Sequence, residues 1–277
     1  MRFSIQSKGR LWLLDKPWVM GILNITPDSF FEGSRQKNID ELLRNAEKML
    51  SEGADILDVG GYSTRPGASE VSLQEELQRV IPAIEAIRSK FPECLISIDT
   101  FRSEVAQKAI ASGADIINDI SGGSLDEKMF DTVACLQVPY ILMHSRGNPQ
   151  TMSQMCHYEN ILLEILHFFE QKIKKLRILG VKDIIADVGF GFAKNIDQNF
   201  FLLKNLSYFQ ILQVPLLVGI SRKSMIYKTL SISPYEALNG TTALNMFALM
   251  QGANILRVHD AKEAKETILL YQKLLES

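Results

Sequence analysis

The 277-residue chain lacks several things, and each absence removes a class of protein. It has three cysteines, Cys94, Cys135 and Cys156, far apart and with no CxxC pair. That excludes a zinc knuckle and a disulfide framework, and it makes a reducing compartment, the cytoplasm, the expectation. No apolar run approaches the ~20 residues that span a bilayer, so no membrane partner is expected. The first 14 residues carry Arg2, Lys8 and Arg10 without a sustained apolar stretch, unlike a secretory leader. Neither sign of charge is in excess: 30 Lys and Arg stand against 32 Asp and Glu, for a net charge of −2. A nucleic-acid binder would show a basic footprint, so no nucleic-acid partner is expected.

What is present is a rhythm. Short runs rich in Ile, Val and Leu lie at 19–24, 55–61, 95–100, 115–121, 140–145, 183–189, 215–221 and 255–260. Near-continuous apolar runs of this length fit strands buried on both faces. Segments with helical periodicity separate them, at 39–51, 72–90, 103–112, 125–136, 158–179, 197–208, 234–251 and 261–275. Ser72 followed by Glu75 has the spacing of a capping box. The helix-to-strand junction recurs as EGAD (52–55), SGAD (112–115) and QGAN (251–254), with GVKD (180–183) a looser copy. A repeated βα unit of this kind, eight times over, closes most simply into an α/β fold of the (β/α)8 type, one domain over residues 1–277. The alternative, an open doubly wound sheet, more often carries a glycine-rich dinucleotide turn after its first strand; here that place holds NITPDSF (24–30). Residues 1–15 have the alternation and central glycine of a short β-hairpin, expected to cover one end of the barrel.

The eight strand ends are polar. They offer Asn24 with Asp28 and Ser29; Ser63, Thr64 and Arg65; Asp99; Asn118; His144; Asp187; Ser221 and Lys223; and Arg257 with His259. In a (β/α)8 barrel these ends carry catalysis. A structural explanation as helix caps covers two or three of them, such as Asp260 and Ser103, but not all eight. Asp99, Asn118, Asp187 and Lys223 suit a flat heterocycle with an amidine-like edge, because a carboxylate can accept two N–H bonds from such an edge. Asn24, Thr64, Arg65, Arg257 and His259 suit a phosphate or pyrophosphate, and Asn24 offers an oxygen to a hard cation such as Mg2+. His144 reads as a structural hydrogen-bonding group and Arg222 as packed away from the site.

The motifs MGILNITPDSF (20–30), GGYSTRPG (60–67), IDT (98–100), NDISGG (118–123), MHSRGNPQTM (143–152), DVGFGF (187–192), SRKS (221–224) and RVH (257–259) stand in an order that resembles the dihydropteroate synthase family. The resemblance implies a transferase of folate biosynthesis. It would join 6-hydroxymethyl-7,8-dihydropterin pyrophosphate to 4-aminobenzoate with Mg2+, as a homodimer and a sulfonamide target. It implies a pterin site of Asp99, Asn118, Asp187, Lys223 and Arg257, and catalytic roles for Asp99, Asp187, Lys223 and Arg257. The pyrophosphate would meet Asn24, Thr64, Arg65, Arg257 and His259, with Asn24 on the metal. The aminobenzoate would meet Thr64, Pro66, Phe190, Ser221 and Lys223, while Asp28, Ser29, Phe30 and Ser63 close over the reaction. The chain departs from the family's pattern at Tyr62, Ser145, Val188 and Ala193. A pterin-binding methyltransferase would lack the Thr64–Arg65 and SRK pyrophosphate set, and the intact loops weigh against a non-catalytic paralogue.

Overall fold

The computed structural model describes residues 3–25, 35–62, 70–148 and 150–276. Strands β1 (Phe3–Ser7) and β2 (Arg10–Leu14) pair antiparallel. Eight further strands follow: β3 (Trp18–Asn24), β4 (Ile56–Gly60), β5 (Leu95–Asp99), β6 (Ile116–Asp119), β7 (Tyr140–Met143), β8 (Ile184–Asp187), β9 (Leu216–Val218) and β10 (Ile255–Val258). They run parallel in the order of the chain, and β10 pairs with both β9 and β3, so the sheet closes into a (β/α)8 barrel. The helices are α1 (Arg35–Ser51), α2 (Leu73–Lys90), α3 (Ser103–Ala111), α4 (Met129–Leu136), α5 (Ile161–Ile178), α6 (Ile196–Lys204), α7 (Ser224–Tyr227), α8 (Leu238–Met250) and α9 (Ala261–Glu276). Among the described residues, no helix is long and apolar enough to cross a membrane.

The period of two along each strand sorts the apolar side chains into two cores. Leu57, Val59, Ile96, Ile98, Ile117, Leu142 and Leu256 point outward and pack against the helices. Met20, Ile56, Leu95, Ile116, Ile141, Ile185, Leu217 and Ile255 point into the lumen near the strand starts, where Ile5 and Leu14 of the hairpin join them. The hairpin is therefore a plug in the lower mouth. Its backbone is tied there, because Gln6 N donates to Asp183 Oδ2 (3.1 Å) and Ser7 Oγ to the Asp115 carbonyl (3.0 Å). Each fully buried aliphatic side chain contributes about 1.5–3 kcal/mol. With apolar side chains filling the lumen near the strand starts, the polar strand ends gather at the upper mouth.

The repeated junction has a backbone reason. Gly53, Gly113, Gly180 and Gly252 have φ of +99°, +124°, +86° and +96°, the left-handed conformation that ends a helix before the next strand. Among the helices that begin later than their periodicity predicts, two have a visible local cause. α4 starts at Met129 rather than near 125, because Asp119 accepts from Ser121 N and Gly123 N, both at 2.7 Å, and holds the intervening residues in turns. α5 starts at Ile161 rather than 158, where Asn160 accepts from Leu163 N at 3.2 Å and caps it. Ser72 caps α2 by accepting from Glu75 N (3.2 Å), but the Glu75 carboxylate turns to Arg79 instead of back to the cap.

At the upper mouth the β8–α6 loop crosses close to β7. Gly189 there has φ +71°, and a Cβ on it would lie 2.0 Å from the His144 carbonyl oxygen. Gly189→Ala adds that collision to a left-handed strain and should lower the unfolding free energy by about 2 kcal/mol or more. Urea unfolding monitored by circular dichroism measures it; an unchanged midpoint would contradict the tight crossing.

Candidate functional site

Strand register builds the site. Asn24 pairs with Gly60, Gly60 with Asp99, and Asp99 with Asn118, so one row crosses the ends of four adjacent strands. Gly60 has no side chain, and a Cβ there would sit 3.4 Å from Asp99 Cβ and 3.5 Å from Asn24 Oδ1. The gap brings the exposed Asn24 amide and the Asp99 carboxylate to opposite sides of one open position. One layer deeper, Asp58 pairs with Ser97, both facing the lumen and both fully buried.

Arg257 enters from β10 and joins these layers. It donates from Nε to Asp58 Oδ2 (2.6 Å) and from Nη2 to Asp99 Oδ2 (2.5 Å). Asn118 donates from Nδ2 to the same Asp58 oxygen at 3.1 Å. Among the described residues, Asp58 Oδ1 and Ser97 Oγ are buried without a hydrogen-bond partner. Burial pushes Asp99 up to about 7, against the pull of Arg257 and with help from the negative charges of Asp58, Glu76 and Asp119. Burial also raises Asp187, although Lys223 and the Gly189 N–H, 2.8 Å from Oδ1, favour its ionised form. Lys223 is pushed down to about 8 by burial, with Asp187 acting the other way.

The Lys223 ammonium donates to the Phe190 carbonyl and sits 4.5 Å from the centre of the Phe192 ring. The Phe190 ring has no exposed surface and packs with the outer core, while the half-buried Phe192 ring lies beside Lys223. Ser221 Oγ lies 3.0 Å from His259 Nδ1 and accepts from His259 N at 3.3 Å. Arg222 turns away and forks onto Asp260 at 3.0 and 2.6 Å. Ser63, Thr64, Arg65 and Pro66, with Asp28, Ser29 and Phe30, lie outside the described residues.

Two supports escaped the sequence reading. Lys194 is buried, 3.0 Å from His144 Nδ1, and donates to the carbonyls of Gly189 (3.0 Å) and Phe192 (2.9 Å). It pins the loop that carries Phe190 and Phe192. Burial lowers Lys194 to about 7 and holds His144 well below the usual histidine range. Before Lys194, Ala193 takes φ +49°, so the residue that departs from the family's glycine keeps a glycine-like turn, at a strain of roughly 1 kcal/mol. The second support is Glu76, fully buried on α2. It accepts from Thr100 Oγ1 (2.6 Å) and Arg102 Nη1 (2.5 Å), while Arg102 Nη2 donates to the Val71 carbonyl (2.7 Å) and Arg79 to that of Gly61 (2.9 Å). The backbone on either side of residues 63–69 is thus fixed to one buried cluster. Tyr62 packs edge-on to Phe101, with ring centres 5.2 Å apart, and lies against Arg102.

A cavity of about 360 Å³ lies at the opposite end, lined by Gln6, Lys8, Leu136, Val138, Val181 and Asp183 among others. It touches none of the converging charges, so volume alone does not mark the site. Among the described residues no group of three or more His, Cys, Asp or Glu can hold a metal.

The chain matches the Pterin binding enzyme family over residues 20–259. It is 45% identical over 267 residues to the dihydropteroate synthase of Escherichia coli K12, covering 95% of this chain and 94% of that one. A crystal structure of Yersinia pestis dihydropteroate synthase with a sulfonamide drug complex superposes with a TM-score of 0.91 at 40% identity, over 99% of this chain and 100% of that one. The Xanthomonas albilineans dihydropteroate synthase solved with 4-aminobenzoic acid gives 0.90 at 36% identity, over 99% and 98%.

The charges set a titration. Asp99 takes up its proton as pH falls through about 7, and Lys223 gives its proton up as pH rises through about 8. The doubly charged pocket is most populated between these values. Carbon-13 NMR of labelled carboxylates should show one group with a midpoint near 7 that is lost in Asp99→Asn. A midpoint near the ordinary carboxylate value of about 4 would contradict it.

Proposed function

Because the chain belongs to the dihydropteroate synthase family and is a transferase that joins a pterin pyrophosphate to 4-aminobenzoate, we propose how its residues divide that work. The pterin lies between Asp99, Asn118, Asp187 and Lys223, with Arg257 against the ring. Two carboxylates, an amide and an ammonium match the amino, ring N–H and oxo groups of the pterin edge. The single observation that carries this reading is the convergence of Asp58, Asp99, Asn118 and Arg257 within 2.5–3.1 Å contacts at the upper mouth.

Asn24, Arg257 and His259, with Thr64 and Arg65, receive the pyrophosphate. Mg2+ fits the donor set, since it keeps several waters and takes one or two protein oxygens plus substrate phosphates. Asn24 supplies such an oxygen, exposed at the end of β3. When bound, the ion neutralises charge on the leaving group. Thr64, Pro66, Phe190, Ser221 and Lys223, with the Phe192 ring beside Lys223, form the aminobenzoate wall, where sulfonamides compete.

The C–O bond to pyrophosphate breaks with its electron pair leaving on oxygen, and positive charge spreads from the methylene carbon over the pterin. The ionised Asp99 stabilises that charge in a desolvated setting, where a fixed carboxylate acts most strongly. The aniline nitrogen then forms the C–N bond and gives its proton to pyrophosphate or water. No general base is required, because the aniline lone pair is free at neutral pH.

A homodimer is part of the proposal. Phe201 on α6, Tyr208 and Ile211 just after it, and Phe247 and Met250 on α8 are exposed apolar side chains. Gln210 Nε2 donates to the Gln251 carbonyl at 3.4 Å and joins these neighbouring segments. An apolar surface of this kind marks a protein contact. A cytoplasmic setting fits three cysteines, Cys94, Cys135 and Cys156, with no CxxC pair among them.

Incubation with 6-hydroxymethyl-7,8-dihydropterin pyrophosphate, 4-aminobenzoate and Mg2+ should yield dihydropteroate and pyrophosphate. Asp99→Asn should lower kcat by about 10² to 10³, and no product from the unaltered chain would sink the reading. In light scattering the chain should run as a dimer and Ile211→Glu/Met250→Glu as a monomer; equal masses would refute this interface.

A further inference from the structure

Asp58 stands apart from the groups assigned above. It is fully buried one layer beneath the row and has no route to the ligand except through its neighbours. Yet its Oδ2 receives two hydrogen bonds from groups of the pterin site, Asn118 Nδ2 at 3.1 Å and Arg257 Nε at 2.6 Å. We propose that Asp58 is a positioning residue that determines specificity: its Oδ2 turns the Asn118 carboxamide so that the carbonyl, not the NH2, faces the ligand.

The orientation follows from donor and acceptor capacity. An ionised carboxylate can only accept, so the Asn118 side chain must give Asp58 its NH2 end. An amide whose NH2 end points down presents Oδ1 on its other side. The ligand then meets acceptors at Asp99, Asn118 and Asp187, with Lys223 as the donor. A heterocycle edge with adjacent amino and ring N–H groups satisfies this set. An edge with a carbonyl at the same place leaves two oxygens opposed, which costs the desolvation of both. Asp58 therefore selects a donor-rich edge without touching it.

The unused oxygen decides how the idea is tested. Among the described residues Asp58 Oδ1 has no hydrogen-bond partner, and Ser97, whose hydroxyl is also without one there, is its register partner on β5. Asparagine at position 58 can keep a carbonyl oxygen in the Oδ2 place and put its NH2 on the side of the unused oxygen. Neutralising Asp58 also leaves Arg257 paired with Asp99 at 2.5 Å, so no buried cation is stranded. Asp58→Asn thus retains the acceptor, whereas Asp58→Ala removes it and frees Asn118 to rotate.

The inference rests on the pterin reading of the site. Steady-state kinetics on the full chain with pterin pyrophosphate and 4-aminobenzoate separates the two. Asp58→Ala should raise the KM for the pterin substrate roughly tenfold, the loss of one oriented hydrogen bond, and change the KM for 4-aminobenzoate less than twofold. Asp58→Asn should restore the pterin KM to within about threefold of wild type. Equal damage in the two variants, or a harmless Asp58→Ala, would overturn the inference while leaving the pterin site intact. Failure of the unaltered chain to use the pterin would instead overturn the site assignment. Should Asp58→Ala not fold, a neutron structure of the wild-type protein decides: deuterons of Asn118 Nδ2 toward Asp58 support the proposal, and a carbonyl there refutes it.

Discussion

The upper half of this barrel depends on one half-buried cation. The Arg257 guanidinium lies between Asp58 and Asp99, bonded to one at 2.6 Å and to the other at 2.5 Å. Taking such charges out of water is costly, and a buried ion pair is weak evidence for stability. Apolar residues would fill the same lumen more cheaply, as they do in the lower layer of Met20, Ile56, Leu95 and Ile116. The charges make sense as a preorganised field. Strand closure presses β10 against β3, next to β4, and so brings Arg257 to carboxylates that come 199 and 158 residues earlier in the chain. Remove the guanidinium and two desolvated carboxylates face each other across the lumen. Remove either carboxylate and Arg257 keeps a single partner.

The other supports serve the same field. Lys194 holds the β8–α6 loop by its carbonyls, which sets where the Phe190 carbonyl and the Phe192 ring meet Lys223. Glu76, Arg79 and Arg102 hold the backbone next to residues 63–69. Each uses a desolvated charge to fix loop backbone, because loops cannot be fixed by sheet pairing. The rim is therefore stiff beside its anchors, which is what a field aimed at a developing cation requires.

Much of this was legible in the sequence. Eight apolar runs gave eight barrel strands, the short repeated turns gave the junction glycines, and the alternation in residues 3–14 gave the hairpin plug. Polar residues at strand ends gave Asp99, Asn118, Asp187, Lys223 and Arg257, because strand-end chemistry is local in sequence. What was not legible was what depends on register and burial. Asp58 looks like any strand residue until its pairing with Ser97 turns it inward. Glu76 and Arg79 look like a helix surface three residues apart. Phe190 and Phe192 bracket a loop with left-handed glycines, and nothing in the letters says which ring packs outward. Lys194 sits among polar residues, and only its burial reveals a staple.

The most direct test of the central claim is a crystal structure of the wild-type chain with 6-hydroxymethylpterin bound. The account requires the amino and ring N–H edge within about 3 Å of Asp187 and Asn118 Oδ1, with Arg257 against the ring and still bonded to Asp58 and Asp99. A pterin bound elsewhere, or an Arg257 released from both carboxylates, would contradict it.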